Sequence, residues 1–522
     1  MAFFQLRGAL LTWATITSCS LAMLLFGYDQ GLMRQVSLGL ISSDNFKQQI
    51  FHTQSPSASI TGLVVAIYEI GAFIGAVSVM LFGERLGRKK TTVIAEFITI
   101  IGAIIQATSY GLSQTMAARV INGFGVGQIT ATVPVWAAEI APASSRGKAV
   151  GSLTMCAVTG VVTAYWVDYG ASYYNSSFSF RFPLALQLFF CILQLLTVPF
   201  LPESPRWLMA SGHEEQAKEV VLRIYDVDSL EADQEATAMF LDVQQIVEIE
   251  NDGKSPWRDL FTMGPRQYFR RICLAFGTQA MQQLSGINVL AYYSTVVFKE
   301  SVHMSNNLAL LMGGFVSMAF WCGTVVAFPL VDRVGRRRLM IWGYTCACIG
   351  MAITAIGMSK DTKTYGIVAT FGLFFFNFNF GVGLQIPPWL YGVEITPLKL
   401  RYIAGAVSAA SGWIWNFGVV QVTPPGIAGM GYKFFIIWAA FNFTFIWVIY
   451  FFYPETARKT LEQLDFIFEN PIENGNAVMS MTTSDVEGVG AVAKSAQVTQ
   501  GQWVHVENLP PKTTQIENTR TD

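Results

Sequence analysis

Twenty consecutive residues near the end of the chain, Phe434 to Tyr453, carry no charge. A helix of that length crosses about 30 Å of hydrocarbon, and few soluble folds need so long an uninterrupted apolar run. Comparable runs recur at about 11–32, 60–82, 91–110, 115–138, 149–169, 181–201, 271–298, 307–331, 338–358, 364–392 and 402–424. Lipid satisfies no backbone donors or acceptors, so each run must close its own hydrogen bonds. The expected fold class is therefore an all-α membrane protein with 12 transmembrane helices. Charged residues make up 13% of the chain, against about 25% in soluble domains. The net charge of −1 argues against a nucleic-acid partner, which leaves the lipid bilayer as the expected surroundings. Seven cysteines are scattered mostly through the apolar runs and read as packing residues. With four histidines and no metal-ligand or nucleophile constellation, no metal, cofactor or enzymatic activity is expected.

Short loops fix the orientation through Lys and Arg. The loop 83–90 holds Arg85, Arg88, Lys89 and Lys90, and the loop 332–339 holds Arg333, Arg336, Arg337 and Arg338. Arg146, Lys148, Lys399 and Arg401 fall on the same side when the spans alternate, so that side is expected to be cytoplasmic and to hold both termini. The resulting division is a cytoplasmic N-terminus (1–10), a six-helix half (11–201), a cytoplasmic loop with short helices (202–270), a second six-helix half (271–453) and a tail (454–522). The tail is expected to be disordered beyond about residue 470, where Ser, Thr, Gly and Gln dominate. In the loop, Val220, Val221 and Ile224 mark the apolar face of a short helix. Asn175-Ser176-Ser177 is a glycosylation sequon in an expected extracellular loop.

Three features of the first half recur in the second at nearly equal spacing. GERLGRKK around Gly87 is echoed by DRVGRRRL around Gly335, Glu139-Ile140-Ala141-Pro142 by Glu394-Ile395-Thr396-Pro397, and Pro202-Glu203-Ser204 by Pro454-Glu455-Thr456. Equal spacing implies two parallel six-helix halves, an arrangement that places a solute site between them. The repeated acids and guanidiniums are expected to pair across the halves and lock one face closed.

The span 271–298 contains the stretch GTQAMQQLSGINVLAYYS, with Gln279, Gln282, Gln283 and Asn288 in an otherwise apolar setting. At about 100° per residue the three glutamines share a helix face. A break at Gly286 is expected to bring Asn288 round to join them in one cavity. Four uncharged donor-acceptor side chains suit a neutral polyhydroxylated solute; the alternative is that they only bond neighbouring helices.

Taken with GYDQG (27–31), RVINGFGVG and PVWAAEIAP (119–142), PESPRWL (202–208), PWLYGVEITPLKLR (388–401) and PETARKTLEQLD (454–465), these motifs make the chain resemble the sugar porter family of the major facilitator superfamily over about residues 20–465. The resemblance is to the fungal-type branch of hexose, pentose and polyol carriers. It implies substrate contacts from Gln282, Gln283 and Asn288, extracellular gating by Tyr292 and Tyr293, and stacking by Trp389 and Trp413. Cytoplasmic gating falls to Glu139, Arg146, Glu394, Arg401, Arg88 and Arg336. Four positions depart from the family pattern: Thr154, Phe320 and Gly412 replace amides, and Gly381 replaces an acid used by some members. Thr154 is still expected among the substrate contacts, and Gln385, Asn377 and Asn379 are the expected compensation.

Asp29 lies inside the first span, where a lone acid costs about 2.5–3.5 kcal/mol, so it is expected to have a partner. By resemblance, Asp29 with Arg119 marks proton symport, protonation from outside loosening the pair. Glu69 and Glu96 read as cytoplasm-facing or helix-packing acids. The leading expectation is a secondary active transporter importing a neutral sugar or polyol by alternating access with protons. Facilitative uniport and a non-transporting nutrient sensor are the alternatives, and a sensor is expected to carry a longer cytoplasmic tail.

Overall fold

The computed structural model describes residues 6–36, 44–53, 56–142, 146–174, 176–230, 233–250, 267–296, 298, 304–396, 401–457 and 468. Asn175 and the tail beyond 470 lie outside these residues, as do the side chains of Arg146, Tyr292, Tyr293 and Arg401.

The first half consists of α1 (Gly8–Val36), α2 (Ala58–Leu86), α3 (Arg88–Ala107), α4 (Leu112–Ile140), α5 (Arg146–Ala171) and α6 (Phe178–Thr197). Three shorter helices follow: α7 (Pro205–Ala210), α8 (Glu214–Tyr225) and α9 (Gln234–Glu250). Helix α8 is amphipathic and buries Ala217, Val220, Val221 and Ile224 in a cluster shared with Leu11 of α1. The second half begins with a broken pair, α10 (Tyr268–Gln283) and α11 (Ile287–Val296). It continues with α12 (Asn306–Val334), α13 (Arg336–Gly357), α14 (Lys363–Phe380), α15 (Pro387–Glu394), α16 (Arg401–Met430) and α17 (Lys433–Phe452). A π turn, Gly381–Gln385, joins α14 to α15.

Among the described residues ten spans are long and apolar enough by themselves to cross a membrane, with α14 and α15 forming one of them. The other two crossings are α4 and the α10–α11 pair, which completes the twelve expected. Helix α4 carries Arg119, Asn122 and Gln128, but its length from Thr130 to Ile140 is buried throughout. A helix sheltered by protein need not be apolar all round, because it does not meet lipid. Helix α17 is the opposite case, turning Ile436, Phe443, Trp447 and Phe451 outward.

Within the first half α1 packs on α5, and α2 and α3 pack on α4; within the second, α13 packs on α14 and α17, and α10 on α16. The halves meet along α2 with α16 and α5 with α12. Two helices of the second half are interrupted. At Gly286, φ is +86°, a conformation that favours glycine, and an added Cβ would lie 2.4 Å from the Met351 methyl. The carbonyl of Ser285 freed by this turn accepts from Asn442 Nδ2 at 2.8 Å, so the break leaves it satisfied. The π turn likewise frees the Leu384 carbonyl, which accepts from Gln282 Nε2 at 2.7 Å.

Candidate functional site

At the basic-loop face the sequence repeat becomes two copies of one cluster. Glu203 accepts backbone N–H groups of Arg88 (3.0 Å) and Lys89 (3.0 Å) at the start of α3. Glu455 does the same for Arg336 (2.9 Å) and Arg337 (3.1 Å) at the start of α13. Each carboxylate sits where a helix leaves its first N–H groups unpaired. Burial pushes the Glu203 carboxyl above its ordinary range, against the lowering by the Ser204 and Lys89 N–H groups. Gly87 (φ +83°) and Gly335 (φ +100°) leave room for the two acids, since a Cβ on either would meet the glutamate at 2.7 and 2.6 Å. Above each cap lies an ion pair. Arg88 binds Glu139 through two bonds of 2.9 Å, and Arg336 binds Glu394 at 2.8 Å while also reaching Asp332 at 2.9 Å. Both pairs are therefore internal to a half. The expectation that Arg88, Glu139, Arg336 and Glu394 pair across the halves is corrected: each guanidinium is held beside the acid of its own half by the helix turn that Glu203 or Glu455 caps. A contact that does cross is Tyr402 Oη, donating to Glu84 Oε2 at 2.7 Å.

Between the halves lies a cavity. It brings together Gln282, Gln283, Asn288, Gln385, Trp389 and Trp413 of the sequence-predicted residues. The first half supplies Phe26, Gly27, Gln30, Ala157, Val158 and Val161, and none of the lining side chains is charged. Asn288 Nδ2 donates to Gln283 Oε1 at 3.1 Å and to Asn416 Oδ1. Trp413 Nε1 donates to Thr130 Oγ1 of the first half at 3.1 Å. Phe26 sets its ring edge-on to Trp413 at 5.5 Å and tilted to Trp389 at 6.4 Å.

Several predicted residues stand elsewhere. Thr154 is not in the cavity wall: its hydroxyl turns back onto the Val150 carbonyl at 3.2 Å, and the residues one helical turn on, Ala157 and Val158, take the wall. Gln279 also stays outside; it lies beyond Gly412, 1% exposed, with neither amide atom hydrogen-bonded. Asn377 bonds the Leu373 carbonyl, and Asn379 bonds Phe375 and Trp342, so of the three expected compensating amides only Gln385 reaches the cavity. Phe320 and Gly412, the apolar departures, do line it.

Asp29 is fully buried, with neither oxygen hydrogen-bonded. Among the described residues no ion pair within 4 Å joins it to Arg119, which corrects the direct pairing expected of them. Arg119 Nη2 donates instead to the Val65 carbonyl at 2.7 Å, and its guanidinium lies 5.4 Å from the Tyr68 ring centre. Tyr68 and Arg119 are the polar groups facing Asp29. The Tyr68 ring in turn meets Trp413 at 5.9 Å. Of the two readings of Glu69, cytoplasm-facing or helix-packing, the second holds: it lies mid-helix, 2% exposed, and Gln30 Nε2 donates to it at 3.4 Å. Sequence reasoning missed Phe26, Gln30 and Asn416. The signal was helical spacing: Phe26 and Gln30 are one turn apart beside Asp29, and Asn416 follows Trp413 by three.

A bundle of twelve crossings in two similar halves, with an uncharged cavity between them, defines a membrane transporter. The family model described as "Sugar (and other) transporter" matches residues 14–468, and the chain belongs to that family, the sugar porters of the major facilitator superfamily. It is 36% identical over 471 residues to the MFS-type transporter oryC of Aspergillus oryzae, covering 89% of this chain and 86% of that one. It is 36% identical over 472 residues to the sugar transporter STL1 of Saccharomyces cerevisiae, covering 89% and 82%. Its fold matches the proton:xylose symporter XylE bound to 6-bromo-6-deoxy-D-glucose with a TM-score of 0.75 and 26% identity, covering 88% and 99%. The inward-open xylose transporter XylE from E. coli matches with a TM-score of 0.68.

Proposed function

We propose that this protein imports a neutral sugar or polyol by alternating access, with protons moving in the same direction. The observation that carries this reading is the cavity itself. Its amides come from Gln282, Gln283, Asn288 and Gln385, its flat rings from Trp389 and Trp413, and it holds no charge to bind an ionic solute. Amides suit a rim of hydroxyls, each contact contributing about 0.5–1.5 kcal/mol, and indole faces suit the apolar face of a sugar ring. The names of the sugar transporter STL1 and the proton:xylose symporter XylE support the same class. Phe320 and Gly412 in place of amides make the wall less polar, which favours a solute with fewer hydroxyls to satisfy.

In this reading Asp29 carries the proton. Its carboxyl is buried against Tyr68 and Arg119, one residue from Gln30 in the wall, so its charge state acts directly on the helix that borders the solute. Protonation removes a buried charge and frees α1 to move against α2 and α4. Tyr292 and Tyr293 gate the far side, and Arg146 and Arg401 join the Arg88–Glu139 and Arg336–Glu394 clusters in gating the basic face. The basic loops support a cytoplasmic location for that face and both termini, with the plasma membrane as the site and Asn175 on the side where glycan is added.

The test is uptake of labelled D-glucose, D-xylose, D-galactose, lactose, glycerol and sorbitol in transporter-null cells, at acidic and neutral pH, with and without a protonophore. Uptake that rises in acid, collapses with the protonophore and loses accumulation in Asp29→Asn is the expected result. Uptake indifferent to all three makes the protein a uniporter, and no uptake from the correctly placed protein overturns the transport reading.

A further inference from the structure

Glu69 has no place in the mechanism above, yet it is buried within the layer of side chains behind the cavity wall. One of its oxygens accepts from Gln30 Nε2 at 3.4 Å and the other has no hydrogen bond. Asn416 of the second half stands beside it. Both neighbours line the cavity. The charged groups acting on Glu69 are Asp29 from α1 and Arg119 from α4, while its own helix adds Tyr68.

The amides around it form a chain with a direction. Asn288 donates to the Asn416 carbonyl oxygen, which leaves the Asn416 amino group as the end facing Glu69. Gln30 also turns its amino group to Glu69. An ionised carboxylate only accepts hydrogen bonds, so it holds the Gln30 amino group inward, favours the same turn of the Asn416 amino group, and leaves the Gln30 carbonyl oxygen as the atom available to the cavity. A protonated carboxyl donates, and the amide that meets its O–H must present oxygen to it and turn nitrogen outward. The charge state of one buried group thereby decides whether the wall offers donors or acceptors to a hydroxylated solute.

We propose that Glu69 is a second proton-binding site, one that sets the hydrogen-bonding polarity of the substrate cavity through Gln30 and Asn416 and ties the two halves together there. It rests on the proton-symport reading and assigns that reading a group at the solute itself, separate from Asp29. Binding of solute and of a proton to Glu69 then favour each other, and each changes the other's affinity by the same factor.

The experiment measures the KM for the panel solute the wild type takes up, across a pH series, in wild type, Glu69→Gln, Gln30→Leu and Asp29→Asn, with surface protein quantified. Coupling of ordinary strength makes the wild-type KM fall about five- to tenfold in acid. Glu69→Gln, an uncharged donor at every pH, is expected to hold the acidic value throughout, with less than about twofold variation. Gln30→Leu is expected to flatten the profile too, which keeps the test open if Glu69→Gln does not reach the membrane. Asp29→Asn loses accumulation but keeps the pH-dependent KM. A Glu69→Gln or Gln30→Leu profile that follows wild type overturns the proposal and leaves symport standing. Uptake in wild type that ignores both pH and protonophore overturns both.

Discussion

The two halves share a frame and differ in what they put inside it. At the basic face they are close copies: Gly87, Arg88, Glu139 and Glu203 repeat as Gly335, Arg336, Glu394 and Glu455, down to the backbone N–H groups each acid caps. In the interior they part. The first half buries Asp29, Glu69, Glu96 and Asp168 within its helices, whereas the described spans of the second half keep their carboxylates to the helix ends, at Asp332 and Glu394. Most of the amides and both tryptophans of the cavity come from the second half, and the first contributes Gln30 and a largely smooth wall of Ala157, Val158 and Val161. The halves are alike where they hold helix ends together and differ inside, where one buries carboxylates and the other carries most of the cavity's amides and both its tryptophans.

The frame is the place to look for the largest effects. Removing one partner of a buried ion pair costs about 3–5 kcal/mol. Glu139 is 4% exposed and Glu394 24%, and Arg336 keeps Asp332 when Glu394 is lost. Glu139→Ala is therefore expected to lower the thermal midpoint of the purified protein more than Glu394→Ala, and equal shifts would mean the two copies are energetically interchangeable. Next comes the division of labour in the cavity. Asn288→Ala removes a donor shared by Gln283 and Asn416 and is expected to cost about 1–3 kcal/mol of solute binding, read as a raised KM with surface expression unchanged. Val158→Ala, on the opposite wall, is expected to change KM less than about threefold; a larger effect there would break the assignment of solute binding to the second half. A gain is expected from Phe320→Asn, which returns an amide to the wall and is expected to lower KM by about 0.5–1.5 kcal/mol for the panel solute richest in hydroxyls. Thr154→Ala should be the quietest of the set, within about twofold of wild type, because that hydroxyl is already committed to the Val150 carbonyl.

Twelve crossings, their parallel halves and the identity of the broken helix were legible because they depend on local facts. Apolar length, loop charge and a glycine among amides act on the chain wherever it lies. Gln282, Gln283 and Asn288 were legible for a related reason, since polar groups in an apolar span need a shared polar space, whereas Trp389 and Trp413 came only from the family resemblance. Phe26, Gln30 and Asn416 were harder, since each reads as an ordinary helix residue until its neighbours across the interface are known.

What the chain determined unaided was therefore which segments cross the membrane and which side chains cannot face lipid. Tertiary structure alone decided which way those side chains turn. A rotation of 100° per residue separates Asp29, facing Tyr68 and Arg119, from Gln30, facing the cavity. The same rotation leaves Thr154 behind the wall one turn from Ala157 and Val158, and it keeps Arg88 with Glu139 and Arg336 with Glu394. Spacing along a helix fixes relative angles, but the absolute direction comes only from the helices packed against it.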